Sequence, residues 1–577
     1  MLPLPLTGLL RLAGPSQTWF KPALSVVASV APPNLLLVAL GRLDLAGYTM
    51  AGSLCALYAH NRPYAARARV LAWVVLGMLT GLAAALVTAS LTGSAVVLVT
   101  VGALLAAGQK AVCDASRIGP PGNVIFAFVS SASLFAPQQL WQVPAHVGLA
   151  ALAGAWAWAV GMAPGLLRPH GPERRATAAA LRAAAAYAYA CGGASGSPSG
   201  GASGDPSGGF SGGPEGGHAR AAAAAALHTA WQTLAASGPR SAARPALERL
   251  LTRAEAALAA PRAADPALLR AWAHALRGSG PLPAAGGTAA VGPVRALRAS
   301  TPAGASAAWP TAGPAGPARV RDLARTVRAR CGAVGPLAVR TGVGCALAGY
   351  GSLALGVGRP YWALVTAASL YQANVTLTWS RGVQRVVGNL LGVVLFAALA
   401  PLTQLSPWAL VLCCVALNFG AEALITRNYW LGSVCVTPMA LLISDFARHQ
   451  EPGALMADRV LDTLVGALVG FAAAIAVTNR RAGDRIEHAL AAVHRARERS
   501  DGLLSAAEPD PGALTAAHRA LTGALVDLRA AADTAAGEWW QRAVPAERVL
   551  HAERTGHRTL AVAIRRQAPP PAEGVHV

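Results

Sequence analysis

The strongest constraint on this chain is a series of apolar runs, each close to the length of a membrane span, arranged in two sets around a polar middle. A helix of about twenty apolar residues can cross the hydrocarbon core, because it satisfies its own backbone polar groups where no water can do so. Six such runs lie before residue 165, near 22–41, 45–60, 70–91, 93–112, 122–137 and 144–164. Six more lie near 338–356, 361–378, 384–401, 407–424, 429–445 and 459–478. The expected fold is all-α: a polytopic membrane protein of about twelve transmembrane helices in two six-helix repeats, with cytoplasmic helical regions.

Composition agrees with this expectation. Of 577 residues 54% are hydrophobic and only 13% charged, about half the charged share of an ordinary soluble protein. Mean hydropathy is +0.43. The net charge of +22 would suit nucleic acid, but lysine occurs only at Lys21 and Lys110 and the arginines gather at the ends of apolar runs. Positive-inside bias accounts for that placement, and nucleic acid is set aside as a partner. Heavy use of Ala, Arg, Gly and Pro points to a high-GC bacterial genome, hence to a multi-pass protein of the bacterial inner membrane. Cys55, Cys113, Cys345, Cys413, Cys414 and Cys435 fall in apolar runs without metal-ligand spacing and read as small packing residues.

Loop charges set the topology. Arg62, Arg67 and Arg69, then Lys110 and Arg117, then Arg168, Arg174 and Arg175 mark one side; Arg381, Arg385, Arg427, Arg480 and Arg481 mark it in the second half. The intervening loops near 91–93, 135–146 and 400–408 are poor in charge, with Arg42, Arg359 and Arg448 as exceptions. Both termini are expected in the cytoplasm. The chain divides into a cytoplasmic or interfacial leader (1–21), a first transmembrane half (22–164), a cytoplasmic helical region (165–337), a second transmembrane half (338–478) and a cytoplasmic helical tail (479–577) with a disordered end. Within 165–337, the Gly/Ser/Pro-rich 191–218 and the Pro/Gly/Ala-rich 281–317 read as flexible linkers.

The halves also match each other. Tyr48, Leu57, Tyr58 and Asn61 share one offset with Tyr361, Leu370, Tyr371 and Asn374, and Arg69 lies one step from register with Arg381. Each half then carries a GxxxG step, Gly77 to Gly81 and Gly388 to Gly392. Such steps let helices approach closely in lipid, and Gly466 and Gly470 repeat the spacing. The pattern favours a parallel repeat.

The segment from Arg359 to Gly392 concentrates the chemistry. Pro360, Tyr361 and Trp362 open one apolar run, a short polar turn is expected to carry Arg381 and Arg385, and Gly388 and Gly392 space the next run. Further on come Asn428, Tyr429, Thr437 and Pro438, then Arg459, Asp462, Thr463, Gly466 and Gly470. This succession resembles the fusaric acid resistance-like (FUSC) family of integral membrane transporters over about 335–480; the first half matches in outline, lacking the Trp and the second Arg. The resemblance implies efflux of small organic, especially aromatic carboxylic, acids. The fold is similar to that of plant malate-channel proteins, which implies anion permeation.

On that resemblance the substrate or anion path would use Arg381, Arg385, Arg459, Tyr361, Trp362, Asn374, Tyr429 and Thr437. Asp462 is the candidate for proton coupling, with Glu422 behind it. A guanidinium fork suits a carboxylate, and an intramembrane arginine usually faces an aqueous path or a counter-charge. Each also has a plainer reading: topology anchor for Arg381 and Arg385, interfacial belt for Tyr361 and Trp362, local helix pair for Arg459 and a loop carboxylate for Glu422. No Walker A or HExxH pattern occurs, so no catalytic residue, metal or cofactor is expected, and the chain is not read as an enzyme. Three functions stay open: an organic-acid exporter, a passive organic-anion channel, and a membrane scaffold for envelope assembly. The partners expected are the lipid bilayer, a small organic anion, a second copy of the chain, and a periplasmic or cytoplasmic protein.

Overall fold

The computed structural model describes residues 8–12, 14, 19–116, 118–119, 121–193, 214–237, 243–278, 280–283, 317–445, 451–477, 482–506, 510–538 and 545–567. Among these residues the regular structure is all helical, with no strand. The first membrane half comprises α1 (Phe20–Ala39), α2 (Ala46–Ser53), α3 (Tyr64–Leu91), α4 (Ala95–Ala115), α5 (Val124–Leu134) and α6 (Val143–Met162). A short α7 (Pro164–Leu167) leads to α8 (Gly171–Gly193), α9 (Pro214–Ala236), α10 (Arg244–Ala259) and α11 (Pro266–Ala275). The second half comprises α12 (Pro317–Ala354), α13 (Pro360–Leu370), α14 (Val375–Thr403), α15 (Pro407–Ile425), α16 (Tyr429–Asp445) and α17 (Pro452–Ala476), and the tail α18 (Ala482–Ser505), α19 (Pro511–Ala536) and α20 (Ala546–Gln567). The tracts read as linkers lie mostly outside the described residues, as do the chain end beyond Gln567 and Arg117, Arg448, Arg480 and Arg481.

Among the described residues seven helices are long and apolar enough to cross a membrane: α1, α3, α4, α6 with its flanking turns, α14, α15 and α17. α5 and α16 are shorter apolar helices, and α2, α12 and α13 complete two sets of six. The sets pack alike. α2 lies on α6 and α13 on α17; α3 contacts α5 and α6 as α14 contacts α16 and α17. Each set's first helix crosses over: α1 packs on α15 and α12 on α4. This exchange joins the halves, and one apolar core runs through both, from Val26 and Leu71 to Phe396 and Leu442.

Local sequence sets the helix ends. Proline stands in the first turn of α13, α15 and α17, where the missing N–H has no intrahelical partner to lose. Ser406 accepts from Ala409 N at 3.1 Å and Asn374 from Leu377 N at 2.8 Å, capping α15 and α14. Two boundaries differ from those read in the sequence. The run 361–378 breaks at Tyr371, where the backbone turns extended, and a new helix starts after Asn374. Arg381 and Arg385 therefore belong to α14 itself and not to a polar turn, since a capped helix continues through them. The boundary expected at 337/338 likewise falls inside one helix, α12, which starts at Pro317.

Two exceptions to the charge rule are paired. Arg42 meets Asp44 at 3.1 Å and Arg359 meets Asp458 at 3.9 Å. Outside the membrane helices, α8 to α11 share one alanine- and leucine-rich core and α18 to α20 another. The end of α19 reaches the membrane half: the Gly537 carbonyl accepts from Thr376 N at 3.1 Å and Thr376 Oγ1 at 2.9 Å. Beside it Glu538 lies 3.6 Å from Arg340, both side chains almost wholly enclosed.

Candidate functional site

All eleven residues of α13 are buried, as expected of a helix that is apolar all round. α14 presents Thr378, Arg385, Gly388, Asn389, Gly392 and Phe396 on its buried stripe, and α17 presents Arg459, Asp462, Thr463, Gly466 and Gly470. The three- and four-residue spacing puts these on one helix face each. α13, α14, α16 and α17, with α12 behind, thus enclose a line of polar groups in an apolar setting.

At its centre Arg459, 1% exposed, sits with its guanidinium carbon 4.1 Å from the Trp362 ring centroid. One turn on, Asp462 accepts a 2.5 Å hydrogen bond from Ser352 Oγ of α12. Arg459 Nε and Nη1 and Asp462 Oδ2 are buried without a hydrogen-bond partner among the described residues. Asn389 links three helices: its Nδ2 donates to Thr463 Oγ1 at 2.8 Å and its Oδ1 accepts from Thr437 Oγ1 at 2.7 Å. Thr463 in turn donates to the Arg459 carbonyl at 2.7 Å.

Nearer the start of α14, Arg385 Nη1 donates to Tyr429 Oη at 2.9 Å, while the Arg381 guanidinium carbon lies 3.2 Å from the Tyr429 ring centroid. Tyr429 is thereby held by both arginines. The leader closes over this end: Gln384 Nε2 and Asn428 Nδ2 donate to the Leu9 carbonyl at 2.8 and 3.0 Å, and Asn428 also to that of Arg11 at 3.0 Å. Arg381 and Asn389 are eight residues apart, about 12 Å along the helix, so the polar line reaches from this end into the bundle.

The other candidates fall as follows. Tyr361 is 4.8 Å from Trp362 ring to ring and 5.8 Å from Phe135 of the first half. Thr437 belongs to the Asn389 network. Asn374 is engaged elsewhere, capping α14 and donating to the Asp533 carbonyl at 3.4 Å. Glu422 is half-buried in the last turn of α15, not in a loop. The glycines stand at helix contacts: a Cβ on Gly388 would lie 2.6 Å from the Trp430 carbonyl, on Gly392 2.6 Å from Thr437 Cβ, and on Gly466 2.5 Å from the Ala363 carbonyl. Gly470 meets Ala367, Gly77 meets Phe126 at 3.2 Å, and Gly81 meets Gln109 and Ser130.

Asn389, Ser352 and Arg340 were not singled out in the sequence. The available signal was a polar side chain in an otherwise apolar membrane run, costly unless partnered. Asn389 stood inside the GxxxG step and was masked by it.

Two sets of apolar helices, the second enclosing a buried, arginine-bearing polar line, define a polytopic helical membrane protein. Residues 345–473, which include α13 to α16 and nearly all of α17, match the family described as fusaric acid resistance protein-like. The chain is also 31% identical over 192 residues to the uncharacterized membrane protein YvaC of Bacillus subtilis (strain 168), a match spanning 33% of this chain and 29% of that relative. The match thus covers less than a third of the relative's length. No solved structure matches.

Proposed function

We propose that this protein exports small organic acids, each a carboxylate on an aromatic or otherwise apolar body, across a bacterial inner membrane. Arg459 carries the reading. Its guanidinium is enclosed by the helix bundle with two N–H-bearing nitrogens unpartnered among the described residues, one turn from a carboxylate with an unpartnered oxygen. An arginine at membrane depth costs roughly 2.5 to 3.5 kcal/mol on insertion scales, and its planar fork suits a carboxylate held by two hydrogen bonds. A transported anion supplies that partner.

Arg385 and Arg381 extend the positive field towards the start of α14, so an entering anion is drawn along the polar line. Trp362 and Tyr361 offer ring faces to the apolar body of the substrate. Asp462 is suited to take up and release a proton as access alternates, coupling export to the proton gradient. The charge bias of the loops supports a cytoplasmic location for both termini. The family match over 345–473 supports efflux over a scaffold role, and the absence of enzyme motifs agrees with transport.

Reconstituted Arg381→Gln should carry organic-acid flux well below wild type while inserting and unfolding normally. Unchanged flux in a well-folded variant removes Arg381 from the mechanism; flux that follows voltage and ignores pH replaces the exporter with a channel.

A further inference from the structure

The inner ends of the two halves differ in how their charge is balanced. In the second half Arg340 is met by Glu538 of the chain's own tail, beside Asn374. Asn61 matches Asn374 in the repeat, and next to it the first half collects cations. His60 Nδ1 lies 3.2 Å from Arg67 Nη2, and its carbonyl accepts from Arg175 Nη2 at 3.4 Å. Lys21, at the start of α1, interacts electrostatically with both Arg175 and Arg168. Arg174 is occupied by the Gly280 carbonyl at 2.7 Å.

None of Lys21, Arg67, Arg168, Arg174 and Arg175 makes an ion pair with a carboxylate among the described residues. Glu173, buried at the start of α8, is the one carboxylate of the 168–175 stretch. Arg67 is 4% exposed, and its Nε and the Nε2 of His60 are buried without a hydrogen-bond partner. Directly before Arg168, Leu166 and Leu167 are 88% and 86% exposed. An apolar edge beside a cation cluster at the end of membrane helices combines the two contacts that an anionic lipid makes, acyl chain and phosphate.

We propose that the end of the first half formed by Lys21, Arg67, Arg168 and Arg175 binds the headgroup of an anionic phospholipid, with the Leu166–Leu167 edge against its acyl chains. The lipid phosphate does for these cations what Glu538 does for Arg340. This holds whether or not the protein transports organic acids.

The test is retention of phosphatidylglycerol against phosphatidylcholine by the full chain in detergent, read by native mass spectrometry, with glycerol 1-phosphate as soluble competitor. Each cation near a membrane surface contributes about fivefold to affinity, so Arg168→Gln with Arg175→Gln should weaken phosphatidylglycerol retention roughly thirtyfold. Arg168→Gln alone, at an exposed position, should weaken it about fivefold and keeps the test decisive if the double variant fails to fold. Equal retention of both lipids, or retention unchanged in Arg168→Gln, overturns the proposal. Displacement by glycerol 1-phosphate at concentrations comparable to the lipid makes this a soluble phosphate site and overturns the lipid assignment.

Discussion

Trp362 and Arg459 face each other between α13 and α17, the guanidinium carbon 4.1 Å from the ring centroid and both residues 1% exposed. The ring's negative face offsets part of the cost of enclosing a cation, and a desolvated pair of this kind is worth roughly 2 kcal/mol. Trp362→Leu should therefore destabilise the detergent-solubilised protein by at least that amount, and Trp362→Phe, which keeps a smaller ring, by less. Equal melting losses for the two variants would show that packing alone, and not the cation, is served by the indole.

Helix contacts grade the glycines. A methyl group on Gly388 meets backbone, the Trp430 carbonyl at 2.6 Å, whereas on Gly77 it meets the edge of the Phe126 side-chain ring at 3.2 Å. Overpacking costs about 1 to 3 kcal/mol when nothing can move aside. Gly388→Ala should fall in that range and Gly77→Ala well below it, measured by thermal unfolding; the reverse order would refute the α14–α16 contact as drawn.

The tail contact at Arg340 has its own signature. Removing one partner of an enclosed ion pair leaves a charge without compensation, at a cost of about 3 to 5 kcal/mol. Glu538→Ala should lower stability strongly, while Glu487→Ala, which removes an exposed partner of Arg548, should be close to neutral. Indistinguishable melting curves for the two variants would mean that α19 does not hold the membrane half.

The junction of α9, α10 and α19 holds two buried groups whose responses to pH oppose each other. Burial pushes Glu255 up to about 7 against the opposing Trp231 N–H and Arg519, and burial with Arg519 pushes His518, 3.6 Å away, down to about 4. A raised carboxylate stabilises fully below its ordinary value of 4.5 and loses that contribution as pH climbs to 7. The lowered His518 acts oppositely: its contribution is complete above 6.5 and lost as pH falls towards 4. The two shifts are equal in size and opposite in sign, so from pH 4.5 to pH 8 the junction should change by far less than the roughly 3 kcal/mol that either group contributes alone. Glu255→Gln leaves the His518 contribution uncompensated, so hydrogen-exchange protection of α19 should rise between pH 4.5 and 6.5 in the variant and stay nearly level in wild type; the same pH profile in both would contradict this assignment.

Much of the membrane architecture was legible because apolar run length reports directly on whether a helix can span. α1, α3, α4, α14 and α15 follow from it. The break at Tyr371–Asn374 was not, because the residues on either side keep the run apolar while the tail's Gly537 supplies the backbone partner from more than 150 residues away. Arg359 looked like a topology exception because its partner, Asp458, is distant in sequence, whereas Arg42 has Asp44 beside it. Arg459, Asp462 and Thr463 were singled out through the family resemblance of their segment. Their partners Ser352, Asn389 and Trp362 come from three other helices, and only the packing brings them together. The docking of Leu9 and Arg11 uses backbone carbonyls, which carry no sequence signal.

The most direct measurement is uptake of labelled hydroxybenzoate into liposomes carrying wild type or Arg385→Gln, with and without an imposed pH gradient. Loss of a charged hydrogen-bond partner is worth about 1.5 to 3 kcal/mol, so wild type should show gradient-dependent flux and Arg385→Gln a flux roughly ten- to a hundredfold lower. Equal flux in both proteins, or none from folded wild type across a panel of organic acids, would contradict the assignment of this arginine line as the path of a transported anion.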